Sequence, residues 1–447
     1  MKKGSGTLGF PEKLGYAGIS IADNLRTSFF STFILFFGTN VLGIRPGLMS
    51  SLLSVSIVWD AINDPLIASY ADNHPDRNGD RARQYLFASI PMGAILMLMF
   101  TRISDSVAAC AVIILVLNLL YSVCTTMHRL PFYALMILVS PKEEDRISVN
   151  KYHFFGTGIG TALGAVAMWP LVRLFGGVDA EGNLVHSERG FFCGAAIVAA
   201  VIILFSVYHY FTTKERVRPQ KEEQTPLLEA FKILFKNSEF RRNVIMDFFR
   251  SATLTAVTSY ALYYASYVIR KPGMLTPLYA AYLVANMIII PLLHRFLKRF
   301  GRRRSMIIAA CGLIIGELVF VFLARNLAAG FVLVLCAGFA TSVYNLVLSL
   351  DRASIADEVE VTEGRRVDSM VSNVCGFATK CGGALITLLF GWVLDFTHYD
   401  GNLSVQPESA VNGIIFIMGW CVILFCIGII LAAPRKEAAP SEKSGEK

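Results

Sequence analysis

Residues 59–65 read WDAINDP inside a run that is otherwise almost wholly apolar. Offsets of three and four residues put Asp60, Asn63 and Asp64 on one face of a helix. Two carboxylates side by side repel each other unless a proton or a metal ion sits between them. Carboxylate and amide oxygens are hard ligands, suited to Na+, Li+ or H+ rather than to a soft metal. The structural alternative is a buried network that pairs with an arginine elsewhere. A second stretch, TTMHRLPFY, offers the Thr126 hydroxyl as a further oxygen ligand.

Ionisable residues inside a membrane-spanning helix cost at least about 2.5 to 3.5 kcal/mol each, so they persist where they face a cavity or a partner. Arg129 keeps its charge and must face a carboxylate, water or an anionic ligand. Asp23 and Arg26 stand three apart beside Asn24 and Thr27, spaced for an ion pair or for ligand contact. Lys151 and His153 open a segment that continues GTGIGTALGA. There Gly156, Gly160 and Gly164 recur every four residues, which lets a neighbouring helix approach closely. No strand precedes these glycines, so they are not a nucleotide loop. Farther on, Asp247 and Arg250 are again three apart, Glu317 stands alone in GLIIGELVFVF, and Lys380 lies deep in FATKCGGAL.

The elements that position these residues follow from the apolar pattern. Of the 447 residues 54% are hydrophobic and 17% charged. Runs of about 20 apolar residues recur, each long enough to cross a bilayer core of about 30 Å. Twelve spans are expected, at 14–42, 46–72, 84–102, 106–140, 148–176, 190–213, 240–269, 273–297, 304–324, 327–351, 367–396 and 410–433. Lys and Arg concentrate in alternate loops: Lys2, Lys3 and Lys13; Arg77, Arg81 and Arg83; Lys142 and Arg146; Lys214, Arg216, Arg218 and Lys221; HRFLKRFGRRR; Arg365 and Arg366; Arg435 and Lys436. This asymmetry predicts cytoplasmic termini at both ends of a multi-pass plasma-membrane protein. It also accounts for the net charge of +8 without nucleic-acid binding.

The polar link KERVRPQKEEQTP divides the spans six and six, which predicts two bundles around a central site. The expected organisation is a first six-helix bundle over 1–213 carrying the cation site and a linker over 214–239 whose LLEAFKILFKN forms an amphipathic interfacial helix. A second bundle over 240–433 and a disordered cytoplasmic tail over 434–447 complete it. The nine cysteines fall in apolar segments without metal-ligand spacing and are expected to be small buried hydrophobes. The first 13 residues are polar, so no cleavable signal peptide is expected. No Walker loop, HExxH or Ser-His-Asp arrangement appears, which argues against an ATP-driven pump and against an enzyme.

WDAINDP, the YYASYV at 263–268 and IADEVEVTEGRRVDSMVSNVCGFATKCGGAL at 355–385 resemble the glycoside–pentoside–hexuronide:cation symporters of the major facilitator superfamily. The resemblance covers nearly the whole chain. It implies an all-α membrane protein of twelve transmembrane helices in two six-helix bundles, working as a monomer without cofactors. It implies a cation site at Asp60, Asn63, Asp64 and Thr126, with Lys380 near it, and Na+-coupled symport, with H+ or Li+ as alternatives. The implied substrate is a sugar or glycoside, met by Asp23, Asn24, Thr27, Arg129, Tyr133, His153 and Lys380. The sugar site departs from the family pattern. Asn24 and Arg129 stand where acceptor aspartates are the rule, Tyr133 replaces a stacking tryptophan, His153 an arginine and Asp23 a lysine. Losing two acceptor carboxylates and gaining a fixed cation suggests an anionic sugar, such as a uronide or a sulfonated sugar. A lysolipid-like substrate and a non-transporting sensor that keeps the fold are the rival expectations.

Overall fold

A backbone in hydrocarbon must satisfy its own hydrogen bonds, and helices do this within one segment. The computed structural model describes residues 8–73, 82–179, 184–217, 227–363 and 368–433. These are helical almost throughout, with one isolated bridge between Val178 and Leu184. Several of the loop cations (Lys2, Lys3, Arg77, Arg81, Arg218, Lys221, Arg365, Arg366, Arg435 and Lys436) and the tail 434–447 lie outside the described residues.

The helices are α1 (Phe10–Asn40), α2 (Pro46–Asn73), α3 (Ser89–Met99, entered through a 3-10 turn), α4 (Val107–Leu138), α5 (Glu143–Ala162), α6 (Met168–Gly176) and α7 (Ser187–Thr212). They continue as α8 (Leu227–Lys236), α9 (Ser238–Ser259), α10 (Leu275–Leu323), α11 (Leu327–Glu363), α12 (Asp368–Phe396), α13 (Glu408–Ile415) and α14 (Val422–Ala432). A π-turn at Leu163–Ala167 joins α5 to α6, so the two make one span. Another at Phe416–Cys421 joins α13 to α14. Gly301, with φ at 75°, breaks α10 inside HRFLKRFGRRR, so this long helix supplies two spans. Ser106 caps α4, and Asn237 caps α9 through hydrogen bonds to the backbone N–H groups of Glu239 and Phe240 at 2.9 and 3.2 Å.

Each of the twelve expected spans coincides with helix. Among the described residues eight helices are long and apolar enough to cross a membrane. The remaining spans are α1, α2, the shorter Arg83–Met99 segment and the α9 segment. Of these, α1, α2 and α9 carry Asp23 and Arg26, Asp60 and Asp64, and Asp247 and Arg250.

The chain packs as two compact units. The first contains Met1–Glu222 together with Ala261–Ala280 and Phe390–Val411. Its core is aromatic: Phe29, Phe33, Phe37, Phe100, Phe191 and Trp169 are all nearly inaccessible and meet at ring distances of 4.9 to 6.5 Å. Stacked and edge-on rings of this kind add to their area burial. Within this unit α1 lies along α5, and the glycine stripe explains how. A Cβ on Gly156 would stand 2.3 Å from the Ala17 carbonyl oxygen, and one on Gly160 2.3 Å from that of Ile21. Backbone therefore packs directly on backbone.

The second unit contains Glu223–Tyr260, Ala281–Leu389 and Asn412–Lys447. LLEAFKILFKN does form a helix, α8, and Leu234 is fully buried against Phe240, Ile355, Val359 and Cys375. Its anchorage is thus protein core on at least one side. The cysteines are all free, but only Cys110, Cys375, Cys421 and Cys426 are buried. Cys311 is exposed, which corrects the expectation of uniform burial. An apolar helix can turn a small thiol towards lipid at little cost, so apolar surroundings in sequence did not guarantee a protein contact.

Candidate cation and substrate site

The first unit brings α2 and α4 together in parallel. Asn118 Nδ2 donates to the Leu52 carbonyl at 3.3 Å, the Ser122 hydroxyl bonds to Asp60, and Thr126 Oγ1 donates to Asp64 Oδ1 at 2.7 Å. Partner numbers rise together along both helices, as they must when two helices run the same way. Each aspartate therefore meets one hydroxyl, and the two rungs sit one turn, about 6 Å, apart.

Asn63 is buried between the two aspartates, and its Nδ2 has no hydrogen-bond partner among the described residues. Thr126 is buried as well, while Asp60 and Asp64 are partly accessible. No group of three His, Cys, Asp or Glu side chains suited to a metal forms among the described residues. The donor set is two carboxylates, one amide and two hydroxyls, all hard oxygens. This chemistry fits a small monovalent cation or a proton. Ser122 escaped the sequence reading. Its signal was its place four residues before Thr126, the interval that also separates Asp60 from Asp64.

Beside this pair, α1, α4 and α5 assemble a second polar group. Asp23 Oδ1 accepts from Arg26 Nη2 at 2.6 Å, and Arg26 Nη1 donates to the Tyr121 hydroxyl at 2.6 Å. Arg26 also donates to Thr27 Oγ1 at 3.2 Å, and that hydroxyl donates to the Asp23 carbonyl at 2.8 Å. Asp23 is thus committed to holding a buried guanidinium. Asn24 Nδ2 donates to Thr157 Oγ1 at 3.3 Å. His153 Nδ1 shares a 2.6 Å hydrogen bond with Ser20 Oγ. Both contacts cross the α1–α5 seam that the glycine stripe closes.

Arg129 lies within the field of the Asp23 charge but closes no ion pair with it. It is exposed and forms no ion pair among the described residues. Its guanidinium lies 5.8 Å from the Tyr133 ring centre, and that ring meets His153 edge-on at 5.9 Å. An unpaired guanidinium within a membrane span must be met by water or by an anionic ligand. Tyr133, 41% exposed, offers a ring face next to it. α4 continues as helix through Pro131, so Thr126, Arg129 and Tyr133 share one rigid element. Lys380 lies on α12 in the second unit, partly buried, and Asp247, Arg250 and Glu317 belong to the same unit.

A further hydroxyl cluster escaped the sequence reading. Within YYASYV, Tyr264–Val268 fold as a π-turn after α9, a geometry frequent at functional sites, and Tyr263 ends the short helical turn before it. Tyr263 hydroxyl meets Thr39 Oγ1 at 2.8 Å, Tyr267 bonds to Asn40, and Tyr399 donates to Asn40 Oδ1 at 2.9 Å. The end of α1 is thereby tied to Ala261–Ala280 and Phe390–Val411 within the first unit.

The family model described as MFS/sugar transport protein matches residues 15–435, and the chain belongs to this family of membrane transporters. It is 27% identical to the Escherichia coli (strain K12) protein named "Putative glycoside/cation symporter YagG", over 88% of this chain and 83% of that one. It is 25% identical to another from the same organism, named "Putative 2,3-dihydroxypropane-1-sulfonate exporter", over 91% of this chain and 88% of that one. The crystal structure of a D-xylose-proton symporter superposes with a TM-score of 0.68 at 14% identity, covering 95% of this chain and 98% of that chain, which shows the shared fold.

Proposed function

We propose that this chain is a Na+-coupled symporter, with H+ or Li+ as replacements, that carries a small anionic sugar or sugar acid across the plasma membrane by alternating access. The observation that carries the coupling is the pair of rungs Asp60–Ser122 and Asp64–Thr126 beside the buried Asn63 amide. A cation seated there neutralises two carboxylates that otherwise repel, and the neutralised site favours substrate on the adjoining face of α4. This is linkage between two sites, so substrate tightens the cation equally. No bond is made or broken.

The observation that favours an anionic cargo is Arg129, unpaired with any described carboxylate and set beside the Tyr133 ring. Asp23 acts on Arg129 through its charge but makes its ion pair with Arg26, which leaves the Arg129 N–H groups for a ligand. The relative whose name reads putative 2,3-dihydroxypropane-1-sulfonate exporter supports an anionic cargo. Asn24, Thr27 and His153 supply hydroxyl-directed contacts from α1 and α5 in this reading, and Lys380 is the contribution of the second bundle. The chain divides functionally into bundles 1–213 and 240–433 with both termini cytoplasmic.

Uptake into proteoliposomes with competing neutral and acidic sugars tests the proposal. Uronates and sulfonated sugars are expected to compete in the presence of Na+. A preference for neutral α-galactosides that survives Arg129→Asp would overturn the anionic assignment.

A further inference from the structure

Asp247 on α9, in the second unit, is fully buried, and both of its oxygens are taken by arginine. Oδ1 accepts from Arg250 Nη2 at 3.3 Å, and Oδ2 accepts from Arg352 Nη2 of α11 at 2.6 Å. One carboxylate thus serves two guanidiniums, and the cluster keeps a surplus of one positive charge. No second carboxylate lies within ion-pair distance of either guanidinium among the described residues. A single arginine would have neutralised Asp247. The surplus lies on the accessible side, because the Arg250 and Arg352 side chains are 14% and 30% exposed while the acid is 0% exposed.

Arg250 is the better placed of the two for a ligand. It stands about 18 Å along α9 from Ser238, inside the span, where a surplus cation needs water or an anion. Its Nη1 donates to Asn345 Oδ1 of α11 at 3.1 Å, and its Nη2 donates to Thr379 Oγ1 of α12 at 3.5 Å. The Thr379 hydroxyl in turn donates to the Cys375 carbonyl at 3.0 Å, so it orients the guanidinium and leaves no donor for a ligand. Asn345 is exposed, and its Nδ2 makes no hydrogen bond among the described residues. The second N–H of Arg250 Nη1 is unused in the same way. Two neighbouring N–H donors therefore remain, one of them cationic, and a carboxylate or sulfonate accepts from such a pair.

We propose that Arg250 and Asn345 form an anion-binding subsite in the second unit, which takes the carboxylate or sulfonate group of a small acidic solute. Asp247 and Thr379 are its positioning residues: the buried acid holds the Arg250 guanidinium from one side and the hydroxyl from another. Arg352 takes the other oxygen of Asp247, so the acid has no charge left with which to repel an anion. The assignment rests on the anionic-cargo reading for the class of its ligand, and on its own residues for its place. It gives the second unit a charged contact that does not depend on Arg129.

Thermal stabilisation of the purified full-length protein in NaCl tests this, with sodium D-glucuronate and sodium isethionate as the carboxylate and sulfonate probes and D-glucose as the neutral one. Wild type is expected to respond saturably to at least one acid and not to D-glucose. Arg250→Gln should raise the half-saturating concentration of that acid at least about tenfold, and Arg250→Lys should recover only part. Asn345→Ala leaves both ion pairs of Asp247 in place and should raise it by about two- to tenfold, which keeps the test open should the glutamine variant fold poorly. Arg129→Gln separates the two readings. Loss in Arg250→Gln and Asn345→Ala with none in Arg129→Gln supports this subsite and removes the first-unit contact. Loss in Arg129→Gln with unchanged affinity in Arg250→Gln and Asn345→Ala overturns this subsite and leaves the earlier reading standing. A wild type that responds to neither acid overturns the subsite as well.

Discussion

Thr126 Oγ1 donates a 2.7 Å hydrogen bond to Asp64 Oδ1, and the same displacement of 62 positions carries Asp60 to Ser122. The two acids are therefore held by two hydroxyls from one neighbouring helix. Fixed geometry of this kind lets a small ion replace water ligands without reorganising the site.

Removing one hydroxyl should weaken the cation without unfolding the chain. A hydrogen bond to a charged group contributes about 1.5 to 3 kcal/mol. Thr126→Ala is therefore expected to raise the half-saturating cation concentration at least about tenfold. Ser122→Ala should shift it in the same direction. Titration of cation-induced thermal stabilisation in detergent reads both. An unchanged midpoint in both variants would remove the hydroxyls from the site.

Arg129 tests the cargo. A planar guanidinium grips a carboxylate or sulfonate through paired hydrogen bonds, which a lysine cannot reproduce. Arg129→Gln should weaken acidic substrates by about 10- to 100-fold, the range of a lost charge-assisted bond, while Arg129→Lys should recover only part. Competition uptake with the acidic compound that binds wild type gives the ratio.

The α1–α5 seam makes a packing prediction with its own control. Gly160→Val forces a side chain onto the Ile21 backbone, and overpacking of this kind costs about 1 to 3 kcal/mol. The variant should also pull Asn24 from Thr157 and so lose substrate affinity. Gly158 has nothing within 4 Å of its would-be Cβ. Gly158→Ala should leave thermal stability equal or slightly raised.

In the second unit, Asp247 takes charge from Arg250 and Arg352. Breaking a buried pair by deleting one partner typically costs about 3 to 5 kcal/mol. Asp247→Asn should accordingly lower the unfolding midpoint far more than Arg250→Gln, since it leaves two guanidiniums without their shared carboxylate. Equal effects from the two variants would mean that the triad is not coupled.

The hydrogen bonds at the end of α1 make a stability prediction within the first unit. Tyr263→Phe and Asn40→Ala each remove hydrogen bonds of about 0.5 to 1.5 kcal/mol. Either variant should lower the thermal unfolding midpoint in detergent, and an unchanged midpoint in both would mean that these bonds do not hold the end of α1.

Much of this was legible before the fold. Periodicity within one helix fixes which residues share a face, so the Asp60–Asn63–Asp64 triplet, the glycine stripe and the Asp23–Arg26 and Asp247–Arg250 spacings could be read directly. What periodicity within one helix cannot fix is the register between helices. Ser122 became a partner of Asp60 only through the parallel docking of α4 on α2. Asn40 gained its role only once YYASYV folded back onto α1. Arg352 joined Asp247 across more than a hundred residues of sequence, which no local pattern announces.

The central claim of the proposed function is that a small cation binds at Asp60 and Asp64. The most direct measurement is the unfolding midpoint of purified wild type and Asp60→Asn against increasing NaCl, with choline chloride holding the ionic strength constant. The account predicts a saturable rise in wild type, reaching about 2.7 kcal/mol at a hundredfold excess over the dissociation constant, and its loss in Asp60→Asn. The same saturable rise in both proteins would contradict it.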